Sequence, residues 1–248
     1  MRLIRVHVAA TLPEQGLAVL AGSAAQHVRR VLRLRAGDPL TLFNGDGWDY
    51  RGRVAALRGA QVDVELLGRV EARAESPLAV TLVQGIARGE RMDLVVQKAT
   101  ELGVARILPV IAERSVVRLD EDRAGRRLAH WHAVATAACE QCGRARLPEI
   151  VAPRALAAWL DEPADGSLRV MLSPDAARPL AQTGRPDGGV TLLVGPEGGL
   201  AEPELEAALR AGFVAHSLGP RVLRTETAAI VALAVLQATA GDLAAVPP

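Results

Sequence analysis

The sequence has few of the features that identify several large classes of protein. It has two cysteines in 248 residues, which argues against a disulfide framework and for a reducing compartment, so we expect a cytoplasmic protein. No apolar run approaches the roughly 20 residues of a membrane-spanning helix, and residues 1–10 lack the long apolar segment of a secretory signal. We therefore expect no membrane partner.

Three common cofactor and catalytic motifs are also missing. No G-x-G-x-x-G follows a predicted strand, and neither G-x-x-x-x-G-K-[ST] nor G-x-S-x-G occurs. These absences argue against a dinucleotide site of the Rossmann type, a P-loop and a serine nucleophile elbow. Cys139 and Cys142 form a lone C-x-x-C inside a helical pattern, whereas a zinc site needs about four ligands. We therefore expect no metal.

Positive charge is concentrated in the first 35 residues. The net charge is only +1, but residues 1–35 hold six arginines against one acidic residue, Glu14. Such a cluster is typical of a nucleic-acid surface, although a run of charges is more often a solvated helix face. The candidate RNA-binding residues are Arg5, Arg29, Arg30 and Arg33.

The pattern of residues 1–72 predicts a small domain of short strands and one helix, which is typical of a β-barrel. Ile4 to Val8 alternate as a half-buried strand, and Asn44-Gly45-Asp46-Gly47 is a hairpin signal. A helix is predicted over about 23–34, with Val28, Val31, Leu32 and Leu34 facing inward. Further strands are predicted at Leu40–Phe43, Tyr50–Leu57 and Gln61–Leu67.

Beyond a polar linker at about 71–77, strands alternate with helices. This order predicts a second domain, residues 73–248, of the α/β class with a parallel sheet. The predicted strands are Leu78–Ile86, Ile107–Ile111, Leu168–Leu172, Val190–Val194 and Val214–Leu218, and the predicted helices include Glu90–Leu102 and Asp122–Cys142.

Two of these strands end in loops rich in glycine and proline. Gly195-Pro-Glu-Gly-Gly199 follows the first, and Gly219 to Arg224 follow the second and precede a helix predicted from Thr225, a candidate N-cap, to Ala240. One such loop is often only a tight turn. Two loops at the carboxyl ends of strands in one sheet, with charged residues beside them, favour a ligand pocket.

The residues of these loops resemble those of a known family of enzymes. Gly195-Pro-Glu-Gly-Gly199 and Leu218-Gly-Pro-Arg-Val-Leu-Arg-Thr-Glu-Thr-Ala228 are similar to motifs of the SPOUT class of S-adenosylmethionine (SAM)-dependent RNA methyltransferases. The segments 26–35, 42–46, 97–103, 113–115 and 138–144 resemble, more narrowly, the ribosomal small-subunit methyltransferase E family, which methylates N3 of a uridine in 16S rRNA.

The resemblance implies a PUA-like RNA-binding domain followed by a SPOUT domain with a deep trefoil knot. It also implies SAM as the cofactor, 16S rRNA in the small ribosomal subunit rather than DNA as the partner, and a homodimer. The residues implied around the cofactor are Leu172, Val194, Gly195, Gly198, Leu218, Gly219 and Leu223, and we add Glu197 and Thr225 from the same segments.

Methylation at uridine N3 requires loss of the N3 proton, which leaves negative charge on O2 and O4. Arg224, with Arg221 second, is our candidate to stabilise that charge. Glu226 or Glu197 is the candidate base. Two other roles stay open: Glu226 as a carboxylate that only stabilises a helix N-terminus, and Glu197 as a residue that only ties its own loop together.

Two other functions remain open from the sequence. One is a non-catalytic RNA-binding assembly factor that keeps a relict pocket. The other is methylation of a different RNA position, including a ribose 2′-oxygen.

Overall fold

The computed structural model describes residues 4–115, 121–184 and 186–244. Arg2, one of the six N-terminal arginines, lies outside these residues. The chain forms two compact units. The first extends to Glu75 and also includes Thr136–Leu147, and the second holds Ser76–Ala135 and the residues from Pro148 onward. The domain boundary at residues 72 and 73 stays a prediction.

The first unit is built on a five-stranded sheet in the order β1-β3-β4-β5-β2. β1 pairs with β3 in parallel and the other pairs are antiparallel. The turn at 44–47 joins β3 to β4, with Gly45 and Gly47 at positive φ. The elements are β1 (Arg5–His7), β2 (Gly16–Leu20), α1 (Gly22–Gln26), β3 (Pro39–Phe43), β4 (Trp48–Arg58) and β5 (Gln61–Glu71).

Two predictions about side chains in this unit are wrong. The predicted helix is split into α1 and one π-helical stretch, His27–Val31. Val28 faces the core and Leu34 is buried as predicted, but Val31 is 67% exposed, because it lies within the π turn, whose angular spacing differs from that of an α-helix. Arg5 was predicted to bind RNA but is buried: its guanidinium pairs with Asp49 at 2.5 Å and donates to the Arg144 carbonyl.

Cys139 belongs to the interior of this unit. It packs with Phe43 and Ala145, and burial raises the pKa of its thiol to about 12. The thiol therefore stays protonated at neutral pH and is a poor metal ligand. Among the described residues, no group of three or more His, Cys, Asp or Glu side chains is placed to hold a metal ion.

The second unit is a parallel sheet in the order β12-β10-β11-β6-β7-β8, with β9 also paired to β7. Its strands are β6 (Val80–Gly85), β7 (Arg106–Ile111), β8 (Glu149–Ile150), β9 (Arg154–Ala155), β10 (Leu168–Leu172), β11 (Val190–Val194) and β12 (Val214–His216). The central strands are mostly apolar, as expected of strands that helices and loops cover on both faces. The predicted α/β class with a parallel sheet is confirmed.

The helices of this part of the chain are α2 (Glu90–Glu101), α3 (Glu121–Cys142), α4 (Leu156–Leu160), α5 (Glu202–Arg210) and α6 (Thr225–Ala240). Both ends of α5 are defined: the Glu204 carboxylate accepts from the Ala201 N–H at 2.9 Å and Gly212 follows the helix at φ +86°. No helix among the described residues is long and apolar enough to cross a membrane.

Candidate functional site

Three neighbouring strands of the second unit end at one edge of the sheet. β10 lies between β11 and β12 and runs parallel to both. They end at Leu172, Val194 and His216, and Leu218 follows two residues later. Since parallel strands place their carboxyl ends together, the two predicted loops leave the same edge, separated by the width of β10.

The loop after β11, Gly195–Gly199, which we call the first loop, is packed closely against its surroundings at two points. A Cβ on Gly85, at the end of β6, would lie 2.4 Å from the Pro196 nitrogen. A Cβ on Gly198 would lie 3.0 Å from the Arg114 Cβ. Gly85 therefore has no room for a Cβ, Gly198 could take one only if Arg114 shifted, and Gly199 has φ +70°.

Glu197 fastens the first loop to the start of α2. Its Oε1 accepts hydrogen bonds from the Arg88 backbone N–H at 2.9 Å and from Arg91 Nη1 at 3.0 Å. Burial alone would raise the pKa of Glu197, but the backbone N–H groups and the Arg91 guanidinium outweigh it and hold the pKa below its ordinary value. The carboxylate is thus charged and already bonded, which favours the loop-tying role over that of a base.

A chain of hydrogen bonds joins the first loop to the start of α6. The buried Gln84 donates from Nε2 to the Thr225 hydroxyl at 2.9 Å, and that hydroxyl donates to the Gly195 carbonyl at 2.6 Å. Thr225 is the first residue of the helix, and Arg224 is the N-cap. The prediction of Thr225 as N-cap is therefore wrong, because its hydroxyl bonds to the loop and not to its own helix.

Glu226 is the least satisfied acid of the site. Its side chain is 10% exposed, and its Oε1 lies 3.8 Å from Arg91 Nε. Its Oε2 is buried and has no hydrogen-bond partner within the described part of the chain. A buried acceptor without a partner is costly, by about 1–3 kcal/mol, so this oxygen is available to a ligand or to a transferred proton.

The segment Gly219–Arg224, which we call the second loop, is open. Gly219 has φ +89° and no heavy atom within 4 Å of the position that a Cβ would take. Val222 is 83% exposed, and Arg221 and Arg224 are exposed as well. Neither arginine has an ion pair or side-chain hydrogen bond to another described residue, so both guanidiniums are available to bind an anion.

The predicted site residues divide into two sets. The structure brings together around one sheet edge Leu172, Val194, Gly195, Glu197, Gly198, Leu218, Gly219, Arg221, Leu223, Arg224, Thr225 and Glu226. In the first unit Arg29, Arg30 and Arg33 are exposed, and Arg29 donates to the Gly59 carbonyl. Arg5 is buried and is not exposed with these three arginines.

Two residues of this site were missed from the sequence. Gln84 is a polar residue in an otherwise apolar strand, and Arg91 is a cation in the first turn of a helix, where the dipole disfavours one. Both departures from local preference were visible in the sequence. Each is explained by its partners, Thr225 for Gln84 and the carboxylates of Glu197 and Glu226 for Arg91.

Comparison with known proteins agrees with this geometry. The model of an RNA methyltransferase domain matches residues 74–237, and that of an RNA methyltransferase PUA domain matches residues 20–67. A curated relative from Buchnera aphidicola, ribosomal RNA small subunit methyltransferase E, is 31% identical over 242 residues, which are 98% of each chain.

Two solved structures share the fold over nearly the whole chain. Ribosomal RNA small subunit methyltransferase E from Neisseria gonorrhoeae, solved bound to SAM, has a TM-score of 0.91 and 37% identity and covers 98% of this chain and 100% of its own. A Legionella pneumophila protein solved with bound SAM has a TM-score of 0.93 and 41% identity, with 98% and 100% covered. The chain belongs to the ribosomal RNA small subunit methyltransferase E family.

Proposed function

We propose that this protein transfers a methyl group from SAM to N3 of a uridine in the 16S rRNA of the small ribosomal subunit. The observation that carries the proposal is that two glycine loops leave one sheet edge, next to two exposed arginines and a buried carboxylate with an unpartnered oxygen. The similar proteins that were solved with SAM support the cofactor.

The residues of the site fit SAM. The backbone of the first loop and the open space above Gly219 leave room for a flat adenine next to apolar Leu172 and Leu218. The unpartnered oxygen of Gln84 is an acceptor for an N–H group of the cofactor. The negative charge of Glu226 also favours a cation. When bound, SAM supplies an activated methyl group on a positively charged sulfur.

The chain's own residues account for the proton and the charge. The Glu226 Oε2 takes the N3 proton of the uridine, because it is a buried acceptor with no other partner. Arg224, and secondarily Arg221, stabilises the negative charge that develops on O2 and O4. Arg91 holds Glu197 and approaches Glu226, and so fixes the carboxylates without contacting the substrate.

We propose a homodimer on the basis of α6. From Ala228 to Leu236 the helix is apolar on every face. Ala229, Ala232, Leu233 and Leu236 fill the core, while Ile230, Val231, Ala234 and Val235 are only half-buried. An all-round apolar helix is typical of a buried position, which a second copy would provide. The trefoil knot and a cytoplasmic location stay predictions.

The proposed activity is tested with methyl-labelled SAM and small ribosomal subunits from cells that lack the protein. Digestion to nucleosides and mass spectrometry should find one N3-methyluridine per subunit. Label on a ribose 2′-oxygen or on another base would change the assigned position. The absence of any transfer, together with binding of subunits, would indicate a non-catalytic assembly factor and contradict the proposal.

A further inference from the structure

A second concave site lies in the same unit, between the start of α2 and the first turns of α3. Its volume is about 430 Å³, within the range of roughly 300–1,000 Å³ for ligand sites. It is lined by Gly89, Glu90, Asp93, Arg123, Arg126, Arg127, His130 and Trp131. None of these residues is among those predicted for the cofactor or for catalysis.

Three arginines of α3 supply one wall of this cavity. Arg123, Arg126 and Arg127 are spaced at i, i+3 and i+4, so they share one face of the helix. Like charges at that spacing destabilise a helix by about 0.2–0.5 kcal/mol per pair. An anion bound between them would remove the repulsion.

The opposite wall, formed by the start of α2, provides hydrogen-bond donors and little uncompensated negative charge. α2 begins after Gly89 and has no side-chain N-cap, so its first backbone N–H groups and the positive end of its dipole face an anion favourably. The Asp93 carboxylate is bonded to His130 Nε2 at 2.9 Å. Glu90 is thus the one acid of the lining without that bond, and it faces the guanidiniums of Arg126 and Arg127.

We propose that this cavity binds a phosphate of the RNA backbone and positions the substrate rRNA on the catalytic unit. Arginine forks are suited to phosphate, and contacts to phosphate fix the register of a nucleic acid on a protein. The proposal rests on the proposed function only in taking RNA as the ligand. The same first turn of α2 carries Arg91, which contacts Glu197 and Glu226, so a phosphate in the cavity lies beside the catalytic edge.

The test measures binding and not methyl transfer, so that it can fail separately from the proposed function. Radiolabelled 16S rRNA transcript is bound on filters by the full-length protein and by Arg126→Gln, Arg127→Gln and the double variant, over a range of salt. Arg210→Gln removes one exposed charge from α5 and is the matched control for each single variant. Calorimetry with S-adenosylhomocysteine, the demethylated product of SAM, checks that every variant is folded.

We expect the double variant to bind rRNA about 10-fold more weakly, with the slope of log affinity against log salt reduced by about 1.4, or about 0.7 for each lost contact. Arg210→Gln should change binding by less than 2-fold. Unchanged rRNA affinity and slope in the double variant would overturn the proposal.

A small phosphorylated ligand is the other source of the same chemistry, and two further titrations distinguish it. Wild-type protein is titrated with inorganic phosphate and with uridine 5′-monophosphate. If either binds more tightly than about 0.1 mM, and Arg126→Gln/Arg127→Gln abolishes that binding while rRNA binding is unchanged, the cavity serves a free metabolite and the proposal is wrong. Weak binding of both, with rRNA binding lost in the variant, supports it.

Discussion

The first loop and the second loop leave the same sheet edge but are built differently. The first is held at four points: by Glu197, by the Gly195 carbonyl, by the close approach of Gly85, and by the contact of Gly198 with Arg114. The second has exposed arginines with no side-chain partner among the described residues, and its Val222 is 83% exposed.

The difference separates two tasks of one enzyme. A cofactor that binds in every turnover benefits from a loop that is already in place, because less ordering is needed on binding. A loop that meets a large RNA benefits from side chains that stay unpaired until the substrate arrives. We infer that the first loop holds the cofactor and that the second loop binds the substrate RNA.

The largest expected effect on SAM affinity is that of Gly85→Ala. The new Cβ meets the backbone nitrogen of Pro196 at 2.4 Å, so the first loop must move, at a cost of at least about 1–3 kcal/mol. SAM affinity measured by calorimetry should fall more than 10-fold. Gly188→Ala is the control, since its Cβ meets nothing within 4 Å. Equal behaviour of the two variants would show that the first loop is not the rigid one.

Arg224→Ala should have the converse effect. Loss of a donor that stabilises a developing anion lowers turnover by roughly 100-fold or more, while SAM affinity stays within a few-fold because the first loop is intact. Arg224→Lys keeps the charge but loses the planar guanidinium, so its turnover should lie between that of the wild type and that of Arg224→Ala. Unchanged turnover of Arg224→Ala at saturating SAM would remove Arg224 from the mechanism.

A smaller effect is expected from Glu197→Gln. The variant keeps the shape but loses the charge that accepts from Arg88 and Arg91, so SAM affinity should fall several-fold. Because the pKa of Glu197 is lowered in the folded protein, its contribution is complete above the ordinary carboxyl value of 4.5 and is lost as pH falls through the lowered pKa. The SAM affinity of the wild type should therefore fall at acid pH, whereas that of Glu197→Gln should not. Identical pH profiles of SAM affinity in the two proteins would contradict the assignment.

The sheet of the second unit was predictable because its strands obey a simple rule. Leu168–Leu172 and Val190–Val194 are apolar runs of strand length bounded by loops, and both were predicted to the residue. Gly195, Gly198 and Gly219 were also recognisable as loop glycines, because glycine lacks the Cβ that would crowd Leu200 or Arg114 and readily takes the positive φ of Gly219. Parallel order then placed the two loops at one edge.

The wrong and missing assignments have long-range causes. Arg5 alternates like a surface residue, and its burial depends on Asp49 and Arg144, which are distant in sequence. Gln84 and Arg91 have roles only through partners more than 100 residues away. Hydrophobic periodicity reports the neighbours along the chain and cannot identify such partners.

Calorimetric titration of SAM and of S-adenosylhomocysteine into wild type, Gly85→Ala and Arg224→Ala tests the central claim most directly. We predict one site per chain in the wild type, binding lost or weakened more than 10-fold in Gly85→Ala, and binding within a few-fold of wild type in Arg224→Ala. Absence of binding by the wild type, or a loss in Arg224→Ala with full affinity in Gly85→Ala, would contradict the division of roles between the two loops.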